Sequence, residues 1–353
     1  MGLFGEKNAY AGLDIGEHSA KIMELKKTGA GYEIVDFGIV PTPKGLIDGG
    51  VITDEQNAVT TLQALAGSIR AKSPRVALAV SGDSVIVRSL TLPVMPDNEL
   101  AEAVRYEAEA VIPIPAKDVT IDFIKYDVTA DGDVKKQDIL VIAVRNDIIE
   151  KMINQPDAVG FEPKVIDVEP LVLQRAVKAL NSQMIPGDGC YAIVNIGSST
   201  TNISVFDKDR LAFTRTLGFG GNKLSISLVN HRKISAEEAE SVKKMIDLKA
   251  VTEETEIFLP VINELVTEIG RSLEYYLAQH RGQRISQVVI TGGSAQIKGL
   301  GPFMSDGIDA PVTVFNPVDY LKISGKVKNV AREIEDAGTA LTKVVGLALS
   351  EVV

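Results

Sequence analysis

The sequence has no tryptophan, one cysteine and three histidines in 353 residues. A single cysteine excludes an intrachain disulfide and fits a reducing compartment. That residue, Cys190, opens the apolar run CYAIVNIG and reads as a buried small hydrophobe rather than a reactive thiol. His18, His231 and His280 show no metal-ligand spacing, and His18 reads as a solvated turn residue. No apolar stretch approaches the ~18 residues of a membrane span. The start, MGLFGEKNAY, lacks the apolar core of a signal peptide, and Gly2 is followed by Glu6 where a myristoylation signal needs Ser or Thr. There is no long Lys/Arg block, and the net charge of −10 excludes broad attraction to nucleic acid or anionic lipid. No low-complexity segment or free linker interrupts the chain. The expectation is a cytoplasmic protein that meets the membrane only indirectly, through a partner.

What is present is the balance of a globular protein, 45% hydrophobic and 24% charged. At about 150 residues per domain the length suits two lobes of similar size. An internal repeat supports this. Residues 11–16 read AGLDIG and run through a polar turn into KIMEL; residues 192–197 read AIVNIG and run through SSTT into NISVF. Asp14 and Asn195 take matching places, 181 residues apart. A third related unit, VVITGG at 288–293, is an apolar strand stopped by two glycines.

Between these units the periodicity alternates. GYEIVDFGIVP reads as a strand, and TDEQNAVTTLQALAGSIRAK as a helix with a Thr53–Gln56 capping box. VALAVSG and SVIVRSLTLP are strands. NELAEAVRYEAEAVIPIP is a helix ended by Pro113 and Pro115. VTIDFIKYDV and DILVIAV form a hairpin about the DGD turn, NDIIEKMINQPDAVG is a helix, and PKVIDVEP a strand. In the second half a hairpin turns at Asp207–Arg210, and Ser235 with Glu238 starts a helix by a capping box. FLPVINELVTEIGRSLEYYLAQHRG is a long amphipathic helix with Ile262, Leu265, Ile269, Leu273 and Tyr276 on one face. GTALTKVVGLALSEV closes the chain as a helix.

A glycine turn between two strands aims backbone N–H groups at an anion, and two such turns facing each other would grip phosphates from both sides. Gly16 and Gly197 allow close approach; Ser19, Ser198, Ser199 and Thr200 offer hydroxyl donors; Lys21 supplies positive charge. Asp14 is placed to hold a hydrated Mg2+. TGGSAQ, through Gly292 and Gly293, and the face carrying Glu240 and Lys243 would form a base pocket.

Three such units in this order resemble the phosphate and adenosine motifs of the actin-like (ASKHA) ATPases, here GLDIGEHSAKIMEL, IVNIGSSTTNISVF and VVITGGSAQIKGL. Over essentially the whole chain the sequence resembles the PilM family of type IV pilus assembly proteins, relatives of the FtsA family. The segments carrying that resemblance are LFGEKNAYAGLDIG, YEAEAVIPIP followed by VTIDF, VIDVEPLVLQRAV, and RSLEYYLAQ ahead of ITGG. The resemblance implies a two-lobed α/β fold with an FtsA-type α+β insertion. The first lobe would be 1–86 and 164–189 with the closing helix 337–353, the insertion 87–163, the second lobe 190–221 and 286–336, and a helical insertion 222–285.

It also implies a first phosphate loop of Asp14, Gly16, Ser19 and Lys21, and a second of Asn195, Gly197, Ser198, Ser199 and Thr200. Gly221, Glu240 and Lys243 would face ribose and base, with Gly292, Gly293 and Ser294 behind the adenine, and Glu169 near the attacking water. The implied cofactors are ATP and Mg2+. One position departs from the pattern: Asn195 stands where the second motif usually begins with Asp. An amide there weakens metal binding and hydrolysis, and ~3–4 kcal/mol of lost transition-state stabilisation slows turnover a hundred- to a thousandfold.

The implied role is a scaffold with weak or absent ATPase activity. It would bind the N-terminal cytoplasmic peptide of the membrane protein PilN and connect it to the pilus motor ATPase components, with oligomerisation open. The groove would lie near Val85–Leu92 and Ala101–Val111, with Arg88 and Arg105 contributing charge. The alternatives are an FtsA-like filament-forming membrane anchor, disfavoured by a last helix without a basic face, and a kinase or phosphatase of the same superfamily, which Asn195 and the mostly helical insertion disfavour.

Overall fold

The run AGLDI and the alternating run after it fold back on each other as β1 (Ala11–Ile15) and β2 (Ser19–Thr28), and β3 (Gly31–Pro41) extends the antiparallel ladder. The computed structural model describes residues 10–71, 74–131, 134–280 and 282–350, so the Gly2–Glu6 signal, most of the LFGEKNAYAGLDIG start's first residues and Gly132–Asp133 of the DGD turn lie outside the described residues. The first lobe continues with β4 (Ile47–Asp48), β5 (Val51–Ile52), α1 (Glu55–Ser68) and β6 (Arg75–Val80). Asp54, not Thr53, caps α1: its carboxylate accepts from the Asn57 N–H at 3.0 Å, while the Thr53 hydroxyl donates to the Gly45 carbonyl at 2.6 Å. Aspartate serves an N-cap as well as threonine does, and the threonine is thereby left to close the preceding turn.

The chain then leaves the sheet for β7 (Val85–Pro93), α2 (Asp97–Val111), β8 (Val119–Asp131) and β9 (Val134–Arg145), and returns through α3 (Asn146–Asp157) to β10 (Glu162–Val168) and α4 (Glu169–Asn181). Helix α3 packs on α1 and β10, with Met152 against the Leu62, Leu65 and Phe161 cluster. It is the crossover helix that joins the parallel strands β6 and β10. The inserted module proper is therefore β7 to β9, ending before the boundary at 163 read from the sequence. Its sheet runs β7-β9-β8, and α2 covers one face through Leu100, Val104 and Ala108. From the other face Tyr126 accepts a hydrogen bond from the Leu211 N–H at 3.2 Å, and its ring lies under the Arg210 guanidinium at 5.2 Å.

The second lobe repeats the first. Its elements are β11 (Cys190–Ile196), β12 (Thr201–Asp207), β13 (Arg210–Leu217), α5 (Gly221–Arg232), α6 (Ala236–Met245), α7 (Glu253–Gln279), β14 (Ile285–Thr291), α8 (Leu300–Gly307) and β15 (Val312–Val314). Five strands of the six-stranded first sheet run β10-β6-β1-β2-β3, and the five-stranded second sheet runs β15-β14-β11-β12-β13: two parallel strands, then an antiparallel triple. The capping box at Ser235 and Glu238 forms as read, with N···O distances of 3.1 and 2.9 Å. Helix α7 buries Ile262, Leu265, Ile269, Leu273 and Tyr276 and begins at Glu253, ahead of the Phe258 start suggested by periodicity. Cys190 is buried, and burial pushes its thiol up to about 11.

The chain re-enters the first lobe early. Strand β16 (Leu321–Ile323) pairs in parallel with β3, and after α9 (Ala331–Ala337) the apolar helix α10 (Thr342–Ala348) packs on β1 and α4. The sequence boundary at 336 missed this return because a three-residue strand carries no periodicity of its own. Among the described residues no helix is long and apolar enough to cross a membrane.

Candidate functional site

A cavity of about 1090 Å³ lies between the lobes, and every predicted nucleotide-site residue except Ser199 and Gly221 lines it. The two glycine turns that enter it have the same closure. The Gly16 N–H donates to the Ser19 carbonyl at 3.2 Å, and the Gly197 N–H to the Thr200 carbonyl at 2.9 Å. The turns touch each other, with Ser199 Oγ donating to Glu17 Oε1. Ser294 Oγ donates to the Gly197 carbonyl at 3.0 Å, which ties the third motif to the second. Gly292 has φ +90°, and a Cβ there would stand 2.4 Å from Asn195 Oδ1, so only glycine lets the β14 turn pass this close.

The floor holds two buried carboxylates. Asp14, 5% exposed, faces Lys21 Nζ at 3.3 Å on Oδ2 and Lys343 Nζ at 2.7 Å on Oδ1. The Lys343 approach is an ion pair by distance, without hydrogen-bond alignment. Burial alone would raise the Asp14 carboxyl, but the Lys343 and Lys21 charges outweigh it and hold it below the usual carboxylate range. Glu169, 2% exposed, begins α4. Its Oε1 accepts from Asn195 Nδ2 and from Asn202 Nδ2, each at 2.8 Å, and its Oε2 lies 3.6 Å from Lys343 Nζ. Burial would lower the Lys343 ammonium, but Asp14 and Glu169 reverse the shift and raise it above the usual lysine range. Lys343 also donates to Ser81 Oγ at 3.3 Å.

This donor set does not fit a hydrated Mg2+ on Asp14. Both of its oxygens already face ammonium groups, and Asn195 turns a donor, not an acceptor, toward Glu169.

At the other side of the cavity Glu240 pairs with Lys243 at 2.7 Å and accepts from Ser225 Oγ. Burial raises the Glu240 carboxyl, but hydrogen bonds from Lys243 and Ser225 outweigh it and keep it below the usual range. Lys243 Nζ also donates to the Gly221 carbonyl at 3.3 Å, so Gly221 contributes its backbone from just outside the lining. Arg88 and Arg105 are exposed on β7 and α2 of the inserted module and do not line the cavity.

Sequence reading missed Lys343, Asn202, Ser81 and Ser225. Lys343 did carry a signal, as the one charged residue in TALTKVVGLAL. Asn202 did too: it stands opposite Asn195 in the hairpin, as Lys21 stands opposite Asp14.

The family model of type IV pilus assembly protein PilM matches residues 12–352. Cell division protein FtsA of Bacillus subtilis (strain 168) is 23% identical over 350 residues, 87% of this chain and 78% of that protein. Ethanolamine utilization protein EutJ of Escherichia coli (strain K12) is 26% identical over 148 residues, 42% of this chain and 46% of that one. Among solved structures, a chain of the PilM–PilN type IV pilus biogenesis complex superposes with TM-score 0.82 at 24% identity, covering 97% of this chain and 98% of that chain. MreB5 of Spiroplasma citri bound to AMPPNP superposes with TM-score 0.55 at 13% identity, covering 97% and 95%. These likenesses establish the two-lobed actin-like fold.

Proposed function

The chain belongs to the type IV pilus assembly protein PilM family, and on that premise we propose that it is an ATP-holding cytoplasmic scaffold of a pilus assembly complex. The reading is carried by the pair of matched glycine turns that meet across one large cavity. Such turns present backbone N–H groups to phosphate oxygens, and Ser198 and Thr200 add hydroxyls. The base would lie toward Gly292–Ser294 and the Glu240–Lys243 pair.

Turnover is slow or absent. A carboxylate that activates water must accept a hydrogen bond from it. Glu169 already accepts two amide N–H groups on Oε1 and faces Lys343 with Oε2. Nucleotide then serves to set the angle between the lobes, and the inserted module, which touches both, passes that angle to a partner. We assign the partner as the N-terminal cytoplasmic segment of a PilN-type membrane protein, seated between the exposed edge strand β7 and α2. Through it the chain stays peripheral to the inner membrane and would link to the pilus motor ATPase.

Titration calorimetry with AMP-PNP tests the cleft, and saturable binding is the expected result. Steady-state ATP turnover near the ~10 s−1 of a median enzyme would overturn the scaffold reading. For the module, Arg88→Glu and Arg105→Glu should each weaken binding of a PilN-type N-terminal peptide. Unchanged affinity in both variants would remove the groove from this face.

A further inference from the structure

Helix α10 is mostly apolar and buried, and Lys343, its one charged residue, reaches the cavity. An ammonium group on such a helix needs compensating partners. It has them from three elements: Asp14 Oδ1 at 2.7 Å on β1, Glu169 Oε2 at 3.6 Å at the start of α4, and Ser81 Oγ at 3.3 Å after β6. Lys21 holds the other Asp14 oxygen at 3.3 Å, and Asn195 and Asn202 hold the other Glu169 oxygen at 2.8 Å. Every carboxylate oxygen on the floor therefore has a side-chain nitrogen of this chain within 3.6 Å, Asp14 Oδ1 and Glu169 Oε2 by ion pairing with Lys343 rather than by an aligned hydrogen bond. Two carboxylates and two ammonium groups balance formally without any added ion.

We propose that Lys343 is the resident counter-ion of the Asp14–Glu169 pair, and that the cleft takes a nucleoside triphosphate without a divalent metal. The inference deepens the nucleotide reading given above and rests on it. Mg2+ in phosphate sites is held through one or two carboxylates, phosphate oxygens and retained waters. Here a dication would compete with Lys21 and Lys343 for the same oxygens and meet two like charges at contact range. The amide at Asn195 points the same way, since it offers Glu169 a donor where a metal would need a further acceptor. The triphosphate instead meets a floor without net negative charge and the N–H groups of the two turns.

The test is calorimetric titration of the full chain with AMP-PNP in EDTA and again in millimolar Mg2+. The expected result is a wild-type dissociation constant that agrees within about twofold between the two buffers. Lys343→Met should lose about tenfold in EDTA and recover in Mg2+, whereas Lys343→Arg should keep its EDTA affinity. A wild-type affinity that falls tenfold or more in EDTA overturns the inference and leaves the nucleotide reading standing; this arm needs no variant to fold. A folded Lys343→Met that binds in EDTA as well as wild type also overturns it, reducing Lys343 to a structural ion pair. No binding in either buffer removes the nucleotide reading itself, and this inference with it.

Discussion

In the first lobe the residue that brings β1 to the cavity is Asp14, held by Lys21 across the hairpin at 3.3 Å; in the second lobe the matching residue is Asn195, which faces Asn202 and turns its amide to Glu169 at 2.8 Å. The backbones around them agree down to the turn, where Gly16 closes on Ser19 as Gly197 closes on Thr200. The match extends one strand further. Strand β6 runs out into Ser81–Gly82 and β14 closes on Thr291 ahead of Gly292, and α10 answers both: Lys343 donates to Ser81, and Thr342 Oγ1 lies 2.6 Å from Thr291 Oγ1. The duplicated backbone fixes where side chains reach the cleft. Whether a position carries a charge or an amide is decided separately in each lobe.

Removing the matched pair one at a time separates those chemistries most sharply. Asp14→Ala leaves the buried Lys21 without its carboxylate, and losing one partner of a buried pair costs about 3–5 kcal/mol. Asn195→Ala removes one N–H donor to a carboxylate, which costs about 1.5–3 kcal/mol. Urea denaturation of both variants measures the gap. Equal losses would mean that charge at this register does not distinguish the lobes.

The next largest contrast is between the two strand-end glycines. Both have positive φ, +73° at Gly82 and +90° at Gly292, so alanine is strained at either. A Cβ at Gly82 would meet the Gly49 carbonyl at 2.6 Å, whereas one at Gly292 would meet Asn195 Oδ1 at 2.4 Å. Each alanine should cost about 2–3 kcal/mol of stability. Only Gly292→Ala should also weaken AMP-PNP binding, because it displaces Asn195. Thermal denaturation and titration of the same two proteins read both effects.

The fold was legible in the sequence where it repeats itself. The AGLDIG and AIVNIG units, their 181-residue separation and the glycine-stopped VVITGG strand all have counterparts in the two sheets. What could not be read is what tertiary packing supplies. Lys343 meets Asp14 across almost the whole length of the chain, and no spacing rule links the two. Helix α3 follows the inserted module without a break in composition, yet its apolar face belongs to α1 and β10. The hairpin register could place Asn202 opposite Asn195, but that both amides meet Glu169 is a tertiary contact.

Acid sharpens the comparison, since Asp14 has a proton to gain and Asn195 does not. Burial pushes the Asp14 carboxyl up, but Lys343 and Lys21 hold its folded value below the ordinary one. A depressed carboxyl contributes stability that is present above its unfolded pKa of about 4 and is lost as pH falls through the folded value. Asp14→Asn should therefore lose less stability than wild type on acidification below about pH 4. Asn195→Ala should track the wild-type slope. Denaturation midpoints measured down the acid limb give both slopes, and a wild-type slope in Asp14→Asn would detach that carboxylate from the acid response.

The smallest effect concerns the turn tips, where the lobes differ once more. The first turn carries Glu17 and His18, the second Ser198 and Ser199, and Ser199 Oγ donates to Glu17 Oε1 across the cleft. That contact joins the lobes, and it also sets a carboxylate at the rim of a cavity suited to phosphates. Ser199→Ala removes the contact and keeps the charge; Glu17→Ala removes both. Removing a partly solvated charge of this kind changes anion affinity by about 1 kcal/mol, or roughly fivefold. Titration with AMP-PNP should show that gain in Glu17→Ala and a smaller change in Ser199→Ala. Equal gains would show that the contact, rather than the charge, restrains the cleft. In that case the first turn would act as a latch on the second. The two hairpins, alike in backbone, would then divide the work between them, one holding phosphate and the other holding the lobes until phosphate arrives.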